Sequence, residues 1–440
     1  MKISISTKIT LIALLLALFF SAQAQGSADL APEIFKISGS GYGHGVGMSQ
    51  IGARGQAIEG KSAVEILNYY YPGTSVSPYP DNEFIRVNLS NLTTSVVVQA
   101  VGGLGNITLF RGDLAVGESA EPLGTYQGDI TASFTNLANS VIPSLSSPTS
   151  KFAPFPPNKA WTIRWDSATT TIALTIQGET KQYKYGQIVI KSISNAVSSY
   201  LAVTNTLRLH DEYLWGIGEV PSSWPPAALE AQAIAARTYA LTKLSRVRTE
   251  CDCQIYSTTI DQNFVGYSKE IERLYGLKWK EAVNRTFVDE NSALVIMFEG
   301  KPINAFYSSS TGGFTQDVKD VWGSSFAYLQ GVPDPWSLDL KINPRYAAWE
   351  RLVTQKVMAS AFGLDSVKSF RVDSRSKTGS ALFVTAFSST GMSSTLSGEI
   401  FRARTKLPST WIKDSVKNEV PKVTLTCKNR KSLIRERCLE

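Results

Sequence analysis

Glu219 is the acidic residue whose surroundings best suit chemistry. It lies between Gly218 and Val220-Pro221, among apolar residues and about six positions before an alanine-rich segment that has the character of a helix. Apolar neighbours raise the pKa of a carboxyl group and keep a proton available near neutral pH, as general acid catalysis requires. The N-terminus of the following helix acts the other way and favours the carboxylate. A Glu before a proline-led helix is also typical of a cap or an ion-pair partner, so position alone leaves both roles open.

The alanine-rich segment carries three polar residues that need partners. Gln232 and Tyr239 lie seven positions apart, which is two helical turns, and therefore share a face, whereas Arg237 is turned well away from Gln232. A polar side chain on a helix otherwise made of Ala, Ile and Leu requires a specific partner. For Arg237 the alternatives are contact with a substrate and a buried side chain satisfied by backbone carbonyls.

A glycine-rich segment near the N-terminus carries His44, one of only two histidines. Glycine occupies every second position from residue 39 to residue 47, so an extended segment would have one face without side chains. With His44 and Gln50 nearby, this pattern suits the floor of a groove along which a polymer passes. The alternative is a tight β-arch with a hydrogen-bonded histidine.

Other familiar catalytic arrangements are missing from the sequence. The serines Ser308, Ser309 and Ser310 have no histidine and acid at a spacing that supports serine hydrolysis. The sequence contains no HExxH, G-x-S-x-G or P-loop motif. Glu219 therefore remains the main candidate for a catalytic residue.

Four cysteines suggest disulfide bonds. Cys427 and Cys438, eleven positions apart, are the pair we expect to be bridged. Cys251 and Cys253 enclose a single residue, so a bond between them closes a very small ring. Zinc is the competing use of that second pair, but neither histidine lies near it in sequence, and we expect no metal and no cofactor.

The first 24 residues have the features of a secretory signal peptide. Lys2 and Lys8 accompany an apolar run over residues 9–20, which Ala22-Gln23-Ala24 follows as a cleavage signal. The run is shorter than the roughly 20 apolar residues of a membrane-spanning helix. We therefore expect a secreted protein, extracellular or associated with the cell wall, with an uncleaved anchor as the alternative.

The charge distribution points to the C-terminal tail. The chain has a formal charge of +7, which falls to +5 without the first 24 residues. Residues 413–440 hold eight Lys and Arg against four acids. An exported basic tail would be drawn to anionic polymers or phospholipid headgroups, which would give peripheral contact with the wall or membrane, and a plain solvated surface is the alternative. We expect no nucleic-acid partner, because the basic residues are not interleaved with aromatic ones.

The elements that must position these residues are mixed. With 32 Gly, 19 Pro and five Met, the composition favours a turn-rich chain of strands and helices over a helical bundle. Ser62 and Glu65 have capping-box spacing and predict a helix after residue 62, while Ser222 or Ser223 is expected to cap the alanine-rich helix. Six β-branched and aromatic runs predict strands between residues 84 and 192, and the Ser- and Pro-rich stretch 139–157 predicts a long loop.

Four blocks of the sequence together resemble the SpoIID/LytB family of cell-wall proteins. They are residues 41–74 with GHGVGMSQ, 213–241 with AARTY, 306–323 with FYSSSTGG and DVWG, and 397–411 with SGEIFRARTKLPSTW. In the better-known sporulation members the GHGxGMSQ block stands at the C-terminal end, so this chain looks circularly permuted.

The resemblance implies an α+β fold, a SpoIID-like mixed catalytic core with an inserted β-rich domain. The expected segments are the signal peptide (1–24), an N-terminal core segment with GHGVGMSQ (25–80), a β-rich insertion or accessory domain (81–195), the SpoIID-like catalytic core (196–415) and a basic, cysteine-containing tail (416–440).

The resemblance also implies a function, namely a lytic transglycosylase that cleaves peptidoglycan glycan strands or an enhancer of a separate cell-wall amidase. Glu219 matches the family's catalytic Glu in its E-x-P pattern, and Arg237 and Tyr239 match the AARTY signature. We expect substrate contacts from these two residues and from Gln232, His44, Gln50 and the serines Ser308, Ser309 and Ser310. Ordinary glycosidases need two carboxylates, and no second acid pairs with Glu219 in the sequence, which agrees with a mechanism that uses one acid.

Overall fold

The computed structural model describes residues 31–101, 105–127, 130–147 and 150–413. The predicted signal peptide and the tail with Cys427 and Cys438 lie outside these residues. Contacts divide the chain into two compact units. The larger unit comprises residues 40–349 and 376–380, and the described part of the smaller one comprises 31–39, 350–375 and 381–413. Within the described residues, no helix has the length and apolar character needed to cross a membrane.

Strands outnumber helices, and the fold is a mixed α+β arrangement, as predicted. The described α-helices are α1 (Gln50–Ile58), α2 (Ala63–Tyr70), α3 (Pro226–Leu241), α4 (Gly276–Asn284), α5 (Val318–Trp322), α6 (Gln355–Phe362) and α7 (Gly398–Thr405). The described strands are β1 (Ile34–Ser40), β2 (Met48–Ser49), β3 (Ser75–Pro80), β4 (Phe84–Thr93), β5 (Ser95–Val101), β6 (Asn106–Arg111), β7 (Gly124–Gln127), β8 (Thr131–Leu137), β9 (Ser140–Ser146), β10 (Ala160–Trp165), β11 (Thr171–Ile176), β12 (Glu179–Tyr183), β13 (Gln187–Ser194), β14 (Ser199–Arg208), β15 (Ile255–Tyr256), β16 (Ser292–Phe298), β17 (Lys301–Pro302), β18 (Tyr307–Ser308), β19 (Trp349–Thr354), β20 (Ser369–Arg375), β21 (Ala381–Phe387), β22 (Ser393–Ser397) and β23 (Trp411–Ile412).

Two sheets dominate the larger unit. One has the strand order β15-β4-β14-β13-β10-β6-β7 and the other β12-β11-β5-β8-β9. Smaller sheets have the orders β17-β16-β3 and β18-β2. In the last of these, β2 pairs in parallel with β18, which places Met48 opposite Tyr307 and Ser49 opposite Ser308. This short pairing joins the glycine-rich segment to the serine segment.

The region predicted as an insertion shares its main sheet with the region predicted as the core. Strand β14 pairs with β13 on one side and with β4 on the other, and β15 extends the same sheet beside β4. Backbone pairing across residue 195 therefore places strands from both sides of the expected boundary in one sheet. The boundaries between the two compact units fall after residues 39, 349, 375 and 380.

Helix α3 lies between two apolar cores of the larger unit. Leu229, Ala233 and Ala236 pack with the residues of the main sheets, whereas Ala231 and Ile234 pack with residues of α1 and α2. A helix with small side chains on every face allows neighbours to approach from all sides. The prediction of a centrally buried alanine-rich helix is confirmed.

Local signals in the sequence differed in how well they located the elements. The capping box of Ser62 and Glu65 is present in full at the start of α2. The predicted serine cap of α3 is wrong, because Pro225 is the N-cap residue and the Ser222 hydroxyl donates to Glu272 instead. The predicted loop 139–157 contains β9, an edge strand that tolerates Pro143 since its outer side has no partner strand among the described ones.

The smaller unit contains two three-stranded sheets with the orders β19-β1-β23 and β20-β21-β22. Helices α6 and α7 belong to it, and their rings Phe362 and Phe401 pack 5.5 Å apart. The backbone N–H of Lys413 donates to the carbonyl of Ser38, which secures the last described strand beside β1. The start and the end of the described chain therefore meet in one sheet.

Candidate active site

The Glu219 carboxyl lies in the loop before α3 and is partly exposed. The backbone N–H of Asn263 donates to its Oε1 over 2.6 Å, and the side chains of Gln50 and Tyr307 also hydrogen-bond to it. Burial raises the pKa of Glu219 above its ordinary value, and these three hydrogen bonds oppose that rise without cancelling it. The group therefore keeps its proton to higher pH than an exposed glutamate does, and the surrounding donors stabilise the carboxylate once the proton is given up.

Gln50 reaches Glu219 from the N-terminal segment. It is the first residue of α1, which begins where the Ser49 hydroxyl accepts a hydrogen bond from the N–H of Gly52. The Gln50 side-chain N–H donates to Oε1 of Gln232 on α3 over 3.2 Å. The structure thus brings together Gln50, Gln232 and Glu219, which the sequence places far apart.

Tyr307 and Gln262 belong to this site although the sequence did not single them out. Gln262 is fully buried, donates to the Tyr307 hydroxyl oxygen over 2.7 Å and accepts from the Tyr213 hydroxyl over 2.7 Å. Because Tyr307 accepts from Gln262, its own hydroxyl hydrogen is directed to another partner, Glu219. Burial raises the pKa of Tyr307 well above its ordinary value, so the hydroxyl remains a donor. Tyr307 stands in the FYSSSTGG block, whereas no motif marks Gln262.

Tyr239 is held by Asp261 rather than by Glu219 itself. Its hydroxyl donates to Asp261 over 2.8 Å, and the guanidinium of Arg248 contacts the same carboxylate at 2.6 Å. Burial acts to raise the pKa of Asp261, but the hydrogen bond from Arg248 and its other donors outweigh burial and lower it. Asp261 is therefore a fixed carboxylate, and a proton donor is available from Glu219 instead.

Cys251 and Cys253 form a disulfide, and both side chains are fully buried. This settles the alternative between a bridge and a zinc ligand pair for these two residues. Arg248 exchanges backbone hydrogen bonds with Cys253, so the bridge closes a short hairpin ahead of β15. The hairpin leads directly into the segment that supplies Asp261, Gln262 and Asn263.

Arg237 lies in the interior of the larger unit. Its side chain has no exposed surface and forms an ion pair of 2.8 Å with Asp81, which also contacts His210 at 2.7 Å. Thr286 accepts a further hydrogen bond from the guanidinium over 2.8 Å. A carboxylate is thus its main partner, and in this structure the side chain does not reach a surface where a substrate would bind.

The glycine-rich segment is neither extended nor an open groove floor. Gly41, Gly43, Gly45 and Gly47 all have positive φ angles, between 73° and 104°. A side chain at Gly41 or Gly47 would meet the backbone of residues 306–312 within 3 Å. The face without side chains is therefore covered by the chain's own serine segment, and glycine is required for that close approach.

His44 and the three serines occupy different environments. The His44 Nδ1 accepts a hydrogen bond from the N–H of Val46 over 3.0 Å, and the ring contacts Trp322. Ser308 and Ser310 are buried against the glycine-rich segment, whereas Ser309 is partly exposed. Of the three serines, Ser309 is the one whose side chain is open to contact from outside.

Together, a partly exposed carboxyl with a raised pKa and a ring of neutral donors define an acid–base site on a mixed α+β scaffold. Comparison with known proteins shows what the part of the chain around this site is similar to. Residues 198–289, which include Glu219 and its partner Asn263, match the family described as Stage II sporulation protein (SpoIID). The resemblance to the SpoIID/LytB family that the sequence motifs indicate is thus confirmed.

The chain is similar to three curated proteins that bear the family's names. It is 36% identical over 128 residues to the amidase enhancer of Bacillus subtilis (strain 168), covering 28% of this chain and 16% of that protein. It is 26% identical over 210 residues to stage II sporulation protein D of the same strain, covering 46% and 58%. It is 31% identical over 146 residues to stage II sporulation protein D of Bacillus amyloliquefaciens, covering 31% and 41%. The matches thus span less than two thirds of each relative, and no solved structure matches the chain.

Proposed function

We propose that this chain is an exported lytic transglycosylase that cleaves the glycan strands of peptidoglycan. The observation that carries the proposal is the Glu219 carboxyl, whose pKa is raised by burial while three neutral groups donate to it. Similarity to stage II sporulation protein D supports a role in the cell wall. The signal-like N-terminus and the basic tail support action outside the cytoplasm.

The proposed reaction uses Glu219 twice. Its carboxyl proton passes to the glycosidic oxygen as the bond from that oxygen to the anomeric carbon breaks. The 6-hydroxyl oxygen of the same sugar then bonds to the anomeric carbon, and its proton returns to the Glu219 carboxylate. The product is a 1,6-anhydro sugar, and Glu219 returns to its protonated form. The reaction needs no second carboxylate and consumes no water molecule.

The surrounding groups have supporting roles in this proposal. Asn263, Gln50 and Tyr307 stabilise the carboxylate that exists between the two proton transfers. Gln232 fixes the Gln50 amide, since it accepts one of its N–H groups.

The test is replacement of Glu219 by Gln, which keeps the shape and removes the titrating proton. We expect cleavage of purified peptidoglycan to fall by roughly 10²–10⁴-fold, the range of general acid–base catalysis. Glu212→Gln is the matched control, because burial also raises the pKa of Glu212, while its carboxylate accepts from the backbone N–H of Arg208 and not from the groups around Glu219. Mass analysis of the soluble products should find anhydro ends that disappear with Glu219→Gln alone.

A second candidate function rests on the relative named amidase enhancer. In that case the chain would bind the wall and stimulate a separate amidase without cleaving glycans. Absence of any soluble product from the unaltered protein, together with faster peptide release by an added cell-wall amidase, would favour this role. Reducing ends in place of anhydro ends would instead indicate a hydrolase.

A further inference from the structure

Four aromatic rings run in contact from the acid–base site to the surface of the larger unit. The ring centroids of Tyr239 and Phe306 lie 5.9 Å apart, those of Phe306 and Trp322 4.8 Å, and those of Trp322 and His44 4.9 Å. Tyr239 is 7% exposed, whereas Trp322 is 47% exposed. The rings thus form a continuous array that begins buried and ends in solvent.

The buried end of the array adjoins Glu219 by two routes. Phe306 directly precedes Tyr307, whose hydroxyl hydrogen-bonds to the Glu219 carboxyl. Tyr239 donates to Asp261, two residues before the Asn263 that donates to Glu219. The Glu219 charge also contributes to the raised pKa of Tyr239, so the buried end of the array lies close to the acid.

Trp322 is the exposed member of the array, and its position is fixed. It is the last residue of α5. Asp317 caps the start of this helix by accepting a hydrogen bond from the N–H of Lys319 over 2.9 Å, and Gly323, in the left-handed conformation, terminates it. All nine tryptophans lie in the described part of the chain, and Trp322 is the most exposed of them. A large apolar ring held in solvent beside a proposed active site is typical of a binding surface.

We propose that Trp322, flanked by His44 and Phe306, is a stacking subsite for a pyranose ring of the glycan strand. This inference rests on the proposed function, and it adds a residue that binds sugar away from the bond that is cleaved. A pyranose has polar edges and an apolar C–H face, and a flat indole buries that face while the hydroxyls remain hydrated. The neighbouring His44 ring, fixed through its Nδ1, supplies a polar edge beside the indole.

The test measures binding in the Glu219→Gln background, so that cleavage does not enter the result. Calorimetric titration with tetra-N-acetylchitotetraose should give a Kd roughly tenfold weaker for Trp322→Ala, and Trp322→Phe should recover part of the loss because it keeps a ring. Tyr275→Ala is the matched control, since Tyr275 is 43% exposed and its ring contacts Lys278 rather than the array. Thermal melting of each variant shows whether the fold is retained.

The outcomes separate this inference from the proposed function. Equal Kd values for Trp322→Ala and the parent, or no binding of the oligosaccharide by the parent, would overturn the subsite even if glycan cleavage is found. A weaker Kd for folded Trp322→Ala would support the subsite even if the protein yields no anhydro product. In an active protein, Trp322→Ala should raise KM for glycan strands more than it lowers kcat, and the reverse split would contradict a stacking role.

Discussion

The Glu219 carboxyl is subject to two opposing influences. Burial raises its pKa, whereas the Asn263 N–H, the Gln50 amide and the Tyr307 hydroxyl lower it. The net direction is upward, so the acid form persists closer to neutral pH than in an exposed glutamate. In the proposed reaction Glu219 first gives a proton and then takes one back, and both influences favour that use, because neither of its two forms is strongly disfavoured.

The raised pKa predicts how stability depends on pH. Below pH 4.5, the ordinary pKa of glutamate, Glu219 is protonated in both the folded and the unfolded chain and does not reduce the free energy of unfolding. As pH rises above that value, the unfolded chain releases the proton more readily, so the folded state loses stability until the pH passes the folded pKa. Relative to Glu219→Gln, the unaltered protein should therefore lose free energy of unfolding as pH rises above the ordinary glutamate value of 4.5, until the pH passes the raised pKa of the folded protein.

Asp261 provides a control of opposite sign for that measurement. Its pKa is lowered in the folded protein, so its contribution to stability is present above its ordinary value of 3.8 and is lost as pH falls. Asp261→Asn should thus be most destabilising near neutral pH. Thermal melts of the three proteins across the pH range decide the matter, and parallel curves for Glu219→Gln and the parent would contradict a raised pKa.

At the scale of elements, residues 248–263 hold the acid in place. The disulfide hairpin fixes Arg248, Arg248 fixes the Asp261 carboxylate, and the next two residues contact Tyr307 and Glu219. This order of contacts lets one short segment, itself joined to the main sheet through β15, determine where the Glu219 carboxyl lies. The segment has few residues of regular structure, so its internal bonds carry the geometry.

Replacing both Cys251 and Cys253 by Ser should therefore impair cleavage through Glu219. The hydrogen bond from Asn263 lowers the pKa of Glu219 in the intact protein. A looser hairpin weakens that bond, so the pKa of Glu219 should rise and the alkaline limb of the pH–rate profile should move to higher pH. We expect kcat/KM to fall about tenfold or more, because a misplaced catalytic group loses the advantage of orientation.

The control for that experiment is replacement of Cys427 and Cys438 by Ser, which removes two cysteines outside the described residues. It should leave both the pH profile and the rate on soluble glycan fragments unchanged. A Cys251 and Cys253 double variant that melts at a lower temperature but keeps the parental pH profile would indicate that the bridge serves stability alone.

Features of the fold that depend on local sequence pattern could be predicted from the sequence, whereas contacts between segments distant in sequence could not. Side-chain types and spacing predict the capping box of α2 and the burial of α3, because both depend on local pattern. The Asn263 contact is made by a backbone N–H, which any residue provides, and Gln262 acts between segments distant in sequence. The alternating glycines left two interpretations open for a related reason: the pattern indicates close approach to the backbone but not which chain approaches.

At the scale of the whole molecule, the residues gathered around Glu219 all belong to the larger unit. The family match over residues 198–289 also lies within that unit. The smaller unit is built from the beginning and the end of the described chain, since β1 pairs beside β23. The basic tail follows β23 in the sequence, and its residues from 414 onward lie outside the described ones.

Truncation after about residue 415 should therefore separate attachment from catalysis. It removes none of the described strands, because the last of them ends at Ile412, and it removes seven of the eight tail cations, leaving Lys413. We expect cleavage of soluble glycan fragments to persist, whereas retention on intact walls should weaken, because a cation-rich tail is attracted to anionic wall polymers.

Salt provides the check on the cause of that difference. Added salt screens charges over about 10 Å at 0.1 M, so the gap in wall retention between the full and truncated chains should shrink as salt is raised. Retention can be measured by co-sedimentation with purified walls, and cleavage by release of soluble products from fragments. A truncated protein that neither folds nor cleaves would show that the tail belongs to the folded core. A difference in wall retention that does not change with salt would show that the charges of the tail do not hold the protein to the wall.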